Sequence, residues 1–365
     1  MRTYAMIFVG AALAAGCGGA GDGETGSVQQ GFELGTWIAA SYHGLDVGGS
    51  HGCVIDNCGG IQCFGRNDYG QATVPSYLRH NRWKEVSAGT LHTCGLTTKG
   101  SIHCWGNDYF GQATPPVGTG YQHIDAGPSH TCAIDSGGNP RCWGNITTPP
   151  PASVVNATGI ASGHGYACAE YDDPSLRTKI LGCWSGGSVA PSPSHFFSLL
   201  GSTPPHGTSA GRYHACTLRG SQLLCWGSNT YGESDGKGLR GGNDPFAVLD
   251  EEDPAGTRIF PAYAPGMYGW TAVAAGYYHT CGLNSGYANH ISSPSNAFCW
   301  GSDSFGESSG IPSQQFTELS AGAYVSCGIT SANDVLCWGR TVDLPAQPAL
   351  PTQCLSYTLP SKPTF

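Results

Sequence analysis

The chain has 365 residues, of which 11% are charged, 56 are glycine, 24 proline and 17 cysteine, and its formal net charge at pH 7 is −9. That much glycine and proline excludes a helical protein, because these are the poorest helix formers, and it suits many short strands joined by turns. An acidic chain with no basic cluster is excluded from the proteins that grip nucleic acid by neutralising phosphates, so no nucleic-acid partner is expected.

In chain order, residues 1–16 read as a signal peptide. "MRTYAMIFVGAALAAGC" has Arg2, an apolar run and then small residues, and the run is too short to span a bilayer comfortably. "LAAGC" resembles the processing box of a bacterial lipoprotein, which makes Cys17 the lipid-bearing residue. The alternative is an ordinary secretory signal cut near the same point. Either route leads to an oxidising compartment, where disulfides persist. Residues 17–30 are then the lipid anchor and a glycine-rich flexible tether. The expected location is the bacterial outer membrane or cell surface, otherwise secreted or periplasmic, with the membrane touched through the N-terminal lipid alone.

Between residues 31 and 345 one phrase returns seven times, in its second copy as "VSAGTLHTCGLTTKGSIHCWG". Its first cysteines are Cys53, Cys94, Cys132, Cys168, Cys216, Cys281 and Cys327; its second are Cys63, Cys104, Cys142, Cys183, Cys225, Cys299 and Cys337. The step between copies runs from 36 to 65 residues, a period that signals a solenoid or a propeller. Each copy reads as a short strand ending at an apolar residue such as Val86, the small pair Ala88-Gly89, and two strands around a turn. A non-hydrogen-bonded antiparallel site brings Cα atoms to roughly 4.5 Å, within the range of a disulfide. One staple per unit stabilises a thin sheet by roughly 2–4 kcal/mol. The close CxxC spacing of zinc sites is missing from every copy, so disulfides are expected and neither metal nor cofactor. A ring leaves only short, protected edges; the expected fold is therefore all-β, a seven-bladed β-propeller. Trp105, Trp143, Trp184, Trp226, Trp300 and Trp338 follow the second cysteines, with Phe64 in the first copy. Strand alternation puts these rings on the face opposite the cysteine, where they would pack one blade on the next.

Several positions invite a site. His51, His92, His130, His214 and His279 stand two places before the first cysteine, replaced by Tyr166 and Val325 in the fourth and seventh copies. A metal ring is one reading; a hydrogen-bonded structural histidine is the other, because the residues come from different blades. The turns "RNDYGQ", "NDYFGQ", "SNTYGE" and "SDSFGE" place Tyr69, Phe110, Tyr231 and Phe305 before a glycine. These are either packed turns or an aromatic face that grips a partner. Insertions at 170–180, 234–270 and 284–297 enlarge individual connections, and long loops in compact folds are often functional. The acidic run Asp250 to Asp253 lacks the spacing of a calcium loop. No nucleophile elbow, which needs a strand-to-helix turn, is read and no HExxH phrase occurs, and an enzyme is not expected.

The full phrase, "AGxxHTCxLxxxGxxxCWGxNxxGQ" over about residues 46–340, resembles the bacterial form of the regulator of chromosome condensation repeat. The resemblance implies a seven-bladed propeller, and the secreted beta-lactamase inhibitor protein II is similar in architecture. It implies a binding platform, since members exchange nucleotides on a small GTPase, inhibit a lactamase, or sense ultraviolet light. The cysteine pairs and the export signal depart from the pattern and argue against the nuclear exchange role; the plant sensors' GWRHT phrase has no counterpart. Cys58 and Cys354 are left over by the repeat and are expected to pair, so that the tail, 346–365, closes back on the ring. The function expected is a non-enzymatic, monomeric, exported platform holding a protein, peptide or glycan. The alternatives are a hydrolase or lyase in the central funnel and a structural component of the envelope.

Overall fold

Each copy of the cysteine phrase folds as one antiparallel sheet, its reversals falling at the glycines. The computed structural model describes residues 37–39, 42–173, 178–185, 205–234, 269–284, 296–341 and 353–355. The signal peptide, Cys17 and the tether lie outside the described residues, as does most of the insertions at 234–270 and 284–297.

A short strand β1 (Trp37–Ala39) precedes the first blade, β2 (Tyr42–Val47), β3 (His51–Asp56) and β4 (Ile61–Gly65). The second blade is β5 (Trp83–Ala88), β6 (His92–Thr97) and β7 (Ile102–Gly106); the third is β8 (His123–Ala126), β9 (His130–Ile134) and β10 (Pro140–Gly144). The fourth is β11 (Gly159–Ser162), β12 (Tyr166–Asp173) and β13 (Thr178–Ser185); the fifth is β14 (Pro205–Ala210), β15 (His214–Arg219) and β16 (Gln222–Gly227). The sixth is β17 (Trp270–Ala275), β18 (His279–Asn284) and β19 (Ala297–Gly301); the seventh is β20 (Phe316–Ala321), β21 (Val325–Thr330) and β22 (Val335–Gly339). Within each blade the middle strand pairs with both neighbours. Outside the blades, β1 pairs antiparallel with β23 (Gln353–Leu355), so the two ends of the described chain meet.

In all seven blades the two cysteines are direct partners across the middle and outer strands. Seven disulfides form there, with Cα separations of 4.0 to 4.1 Å. In the fourth blade the extra residues extend the ladder itself, pairing Tyr171 with Ile180 and Asp173 with Thr178. The disulfide is unmoved because the addition lies beyond it. Cys58, in the β3–β4 turn, is also disulfide-bonded. Its expected partner Cys354 stands opposite Ile38 in the β1–β23 pair, and the Cys354 side chain is outside the described ones.

The core is divided among the seven seams between blades. At each seam the cystine face of one blade receives the aromatic face of the next. Cys53 and Ile55 of the first blade pack on Trp83 and Trp105 of the second. Cys216 and Cys225 of the fifth pack on Trp270 and Trp300 of the sixth, and Cys281 and Cys299 of the sixth on Phe316 and Trp338 of the seventh. The ring closes by the same rule, with Phe64 of the first blade against Cys327 and Ile329 of the seventh. Paired rings add edge contacts, Trp83 to Trp105 at 6.1 Å and Trp270 to Trp300 at 5.9 Å between centroids.

Candidate functional site

The inner strands converge on the axis, and the glycine of each Ala-Gly pair is where they come closest. A Cβ on Gly89 would lie 2.5 Å from the Gly127 carbonyl of the next blade, and one on Gly276 would lie 2.5 Å from that of Gly322. The residue two places before this glycine links the blades. Ser87 Oγ accepts from Ala126 N, Ser209 Oγ from Ala275 N, Ser320 Oγ from Val47 N and Asp125 Oδ2 from Ser162 N. Asp46 is the most heavily tied. Its Oδ1 accepts from Val47 N at 3.0 Å and Ser320 Oγ at 2.9 Å, and its Oδ2 from Ser87 Oγ at 2.9 Å and Ala88 N at 2.8 Å. One carboxylate thus joins the seventh, first and second blades.

The axial funnel encloses about 280 Å³, lined by these strands and by Asp46, Asp125, Ser162, Ser209 and Ser320. Burial pushes the Asp46 carboxyl up, against the pull of its four hydrogen bonds. Burial and the neighbouring Asp46 push Asp125 up to about 8, so it carries its proton at neutral pH. Tyr277 of the sixth blade reaches across one mouth and hydrogen-bonds Thr90 of the second. The funnel's polar groups are therefore spent on holding the ring together.

The five repeat histidines lie in the seams. His51, His92 and His214 place Nε2 2.8 Å from the hydroxyls of Thr93, Thr131 and Thr280 in the next blade, and His279 lies 2.7 Å from Ser326. His130 faces a blade whose equivalent residue is Ala167, and Tyr166, in the histidine position there, donates instead to the His214 carbonyl at 2.6 Å. Burial lowers all five imidazoles, His92 and His214 to about 3 and His51, His130 and His279 to about 4, so they are neutral. Among the described residues no group of three or more metal-ligating side chains converges.

The hydroxyls that meet these histidines pass the bond on to the aromatic turns. Thr93 Oγ1 and Trp105 Nε1 both donate to the Gln71 carbonyl of the preceding blade. Thr131 and Trp143 do the same to Gln112, and Thr280 and Trp300 to Glu233. The turn's own side chain folds inward: Gln71, Gln112, Glu233 and Glu307 accept from the backbone N–H of Tyr69, Phe110, Tyr231 and Phe305. The four aromatics are left on the surface, 52, 49, 53 and 47% exposed in that order. The turn is thus a seam clasp and an aromatic display at once.

The sharpest asymmetry lies at the two residues between the glycine and the histidine. Blades one to three carry Gly49-Ser50, Thr90-Leu91 and Pro128-Ser129; blades five to seven carry Arg212-Tyr213, Tyr277-Tyr278 and Ala323-Tyr324. The second set joins the turn aromatics in a continuous arc. Tyr231 meets Tyr278 at 5.3 Å, Tyr278 meets Tyr324 at 6.1 Å, and Tyr324 meets Phe305 at 5.4 Å between ring centroids. Arg212 lies 5.0 to 5.5 Å from the rings of Tyr213, Tyr277 and Tyr278, and Arg340 lies 5.3 Å from that of Phe305. Of the four turn aromatics, the structure thus brings Tyr231 and Phe305 into this arc. For Tyr69 and Phe110 the corresponding residues of the next blade are Thr90-Leu91 and Pro128-Ser129, none of them aromatic. Tyr213, Tyr277, Tyr278, Tyr324 and Arg212 were not singled out from the sequence; comparing the two variable positions across copies would have found them.

Residues 83–112 match the regulator of chromosome condensation (RCC1) repeat. No curated protein matches the chain. Among solved structures, the WD40 ectodomain of the receptor kinase ACR4 from Arabidopsis thaliana is 22% identical, with 86% of this chain and 99% of that chain covered and a TM-score of 0.57. Prp20p from Saccharomyces cerevisiae, described with its binding to Gsp1p and histones, is 17% identical, with 76% and 80% covered and a TM-score of 0.56. A yeast RCC1 (Prp20) structure with Kap60 is 14% identical, with 92% and 91% covered and a TM-score of 0.57. At these identities the likeness is one of fold.

Proposed function

We propose that this seven-bladed propeller, whose residues 83–112 match the RCC1 repeat, is an exported, non-enzymatic platform that holds a protein partner on the face carrying the tyrosine–arginine arc. The observation that carries this reading is the arc itself. It joins the variable residues between glycine and histidine on three consecutive blades to the turn aromatics, and it is rich in Tyr and Arg, two of the residue types enriched at binding hot spots. A rigid ring beneath it keeps the ordering cost of binding low. The binding of Gsp1p and histones by Prp20p is a precedent for a protein partner on this fold, and fold alone does not choose the partner.

Seven disulfides indicate an oxidising location, and no described helix is long and apolar enough to cross a membrane. Residues 1–16 and Cys17 support attachment as a lipoprotein, with the multiple acyl chains of such an anchor holding firmly. The pairing of β23, which holds Cys354, with β1, two residues before β2, supports a latch from Cys354 to Cys58 of the first blade. The funnel reading is weaker because the four bonds on Asp46 already fix that carboxylate in the seams.

The test is capture of envelope or extracellular proteins by the disulfide-intact ring and by two double variants. Tyr278→Ala with Tyr324→Ala should lose a captured protein that Leu91→Ala with Ser129→Ala retains. Equal capture by both would remove the arc as the binding surface.

A further inference from the structure

The residue that follows the strand-ending glycine has a fixed place in the repeat: its N–H donates to the carbonyl of the residue before the repeat histidine or its replacement. Asn107, Asn145, Ser228 and Ser302 do this to Leu91, Ser129, Tyr213 and Tyr278, at 2.8 to 2.9 Å. In the first and seventh blades the residue is an arginine. Arg66 N donates to Ser50 O and Arg340 N to Tyr324 O, each at 2.8 Å. These two blades stand at opposite ends of the repeat sequence and become neighbours only because the ring closes. Closure therefore sets two guanidinium groups on either side of one seam.

A cleft opens between them. It is lined by Arg66 and Arg340 and by Ser50, Thr90, Tyr277 and Tyr324, and holds about 210 Å³. Pockets for whole drug-sized ligands run from roughly 300 to 1,000 Å³, so this one fits a side chain with its flanking backbone. Arg340 is held beside the Phe305 ring, a cation–π contact that restrains the guanidinium at the cleft. Arg66 pairs through Nε with Asp68, and the two side chains are 54 and 51% exposed. An exposed pair of this kind is worth only about 0–1 kcal/mol, so an incoming carboxylate can compete with Asp68.

We infer that the seam between the seventh and first blades is a carboxylate-binding subsite, which takes an acidic side chain from an exposed segment of a protein partner. The inference rests on the platform reading and gives its partner a chemistry. Arginine forks match carboxylates in bidentate geometry, and two of them here stand at the end of the tyrosine arc, on a chain whose net charge of −9 would otherwise repel an acidic partner. Tyr277 and Tyr324 supply the wall for the flanking residues.

The probes are a fluorescein-labelled decapeptide of alternating Glu and Tyr, its Gln-for-Glu counterpart, and a galacturonate oligosaccharide of equal charge. Anisotropy with the disulfide-intact protein should show the Glu peptide bound about tenfold or more tightly than the Gln peptide. The advantage should shrink as salt rises and be lost in Arg66→Gln and in Arg340→Gln, whose unchanged melting temperatures would exclude misfolding. If one variant fails to fold, the other and the salt series decide. Glu and Gln peptides bound alike, or a Glu peptide indifferent to both substitutions, would overturn the subsite. Tighter binding of the galacturonate would also overturn it, by assigning the cleft to an acidic glycan. Protein capture lost in the Tyr278 and Tyr324 double variant but kept in both arginine variants would leave the platform standing and remove the subsite alone.

Discussion

Blades one to three and blades five to seven share one backbone plan and part most sharply at two positions of the repeat. Both halves have the cystine across the outer ladder, the small residue and glycine at the axis, and the ring after the second cysteine. Between glycine and histidine the first half carries small or aliphatic residues, whereas the second carries Tyr or Arg at every position but Ala323. The contrast separates two jobs inside one repeat. Positions that face a seam are dictated by the neighbouring blade, whereas the two between glycine and histidine change from blade to blade and can serve a partner.

If that division is right, damage to the seams should be alike in both halves, and damage to the arc should be one-sided. Acid gives the largest expected effect. The histidines are neutral in the fold, with values of about 3 to 4, and the unfolded chain takes up their protons below about 6.5. The stability they contribute is present above pH 6.5 and is lost as pH falls towards 4, by up to about 1.4 kcal/mol per histidine per pH unit. Asp125, raised to about 8, has the opposite sign: its contribution is present at low pH and is lost as pH rises through about 8. Thermal melts should therefore peak between about pH 6.5 and 8. Hydrogen exchange at pH 5 should loosen the seams around His51, His92, His214 and His279 in both halves and spare the Tyr166 and Val325 seams. Uniform loosening would contradict this.

Trp105→Ala and Trp300→Ala remove equivalent rings from the two halves. Each should cost about 3–5 kcal/mol by denaturant titration, and a large difference between them would mean that one half is not held by its seams. Removal of a disulfide comes next. Cys94→Ala with Cys104→Ala, and Cys281→Ala with Cys299→Ala, should each cost about 2–4 kcal/mol. The loops they close, 10 and 18 residues in sequence separation, should part the two by only about 0.5 kcal/mol. The smallest seam effect is Ser209→Ala, which deletes one axial bond to Ala275 N and should cost about 1 kcal/mol.

Much of the scaffold could be read from residue types. The ten-residue spacing of Cys94 and Cys104 around a turn determines their opposition, and Trp105 must face away from that bond because side chains alternate along a strand. The histidines' reach to a hydroxyl one blade on was legible as a structural role but not as a circuit, since Thr93, Gln71 and Trp105 belong to two blades. What depends on the ring's circumference was hidden. Arg66 and Arg340 look unrelated until the seventh blade meets the first, and Tyr277 touches Thr90 only across the axis. The fourth hairpin looked like a larger loop, yet the added residues lengthen β12 and β13, because Tyr171 and Ile180 can continue the ladder and bury.

The central claim is that the partner sits on the arc of blades five to seven. Photo-crosslinking tests it most directly: benzoylphenylalanine placed singly at Tyr231, Phe305 and Tyr324, and at the exposed aromatics Tyr77 and Tyr109 of the other half. Crosslinks to one protein from the first three sites and none from the last two are the predicted result. The same protein crosslinked from Tyr77 and Tyr109 but not from the arc would contradict the account.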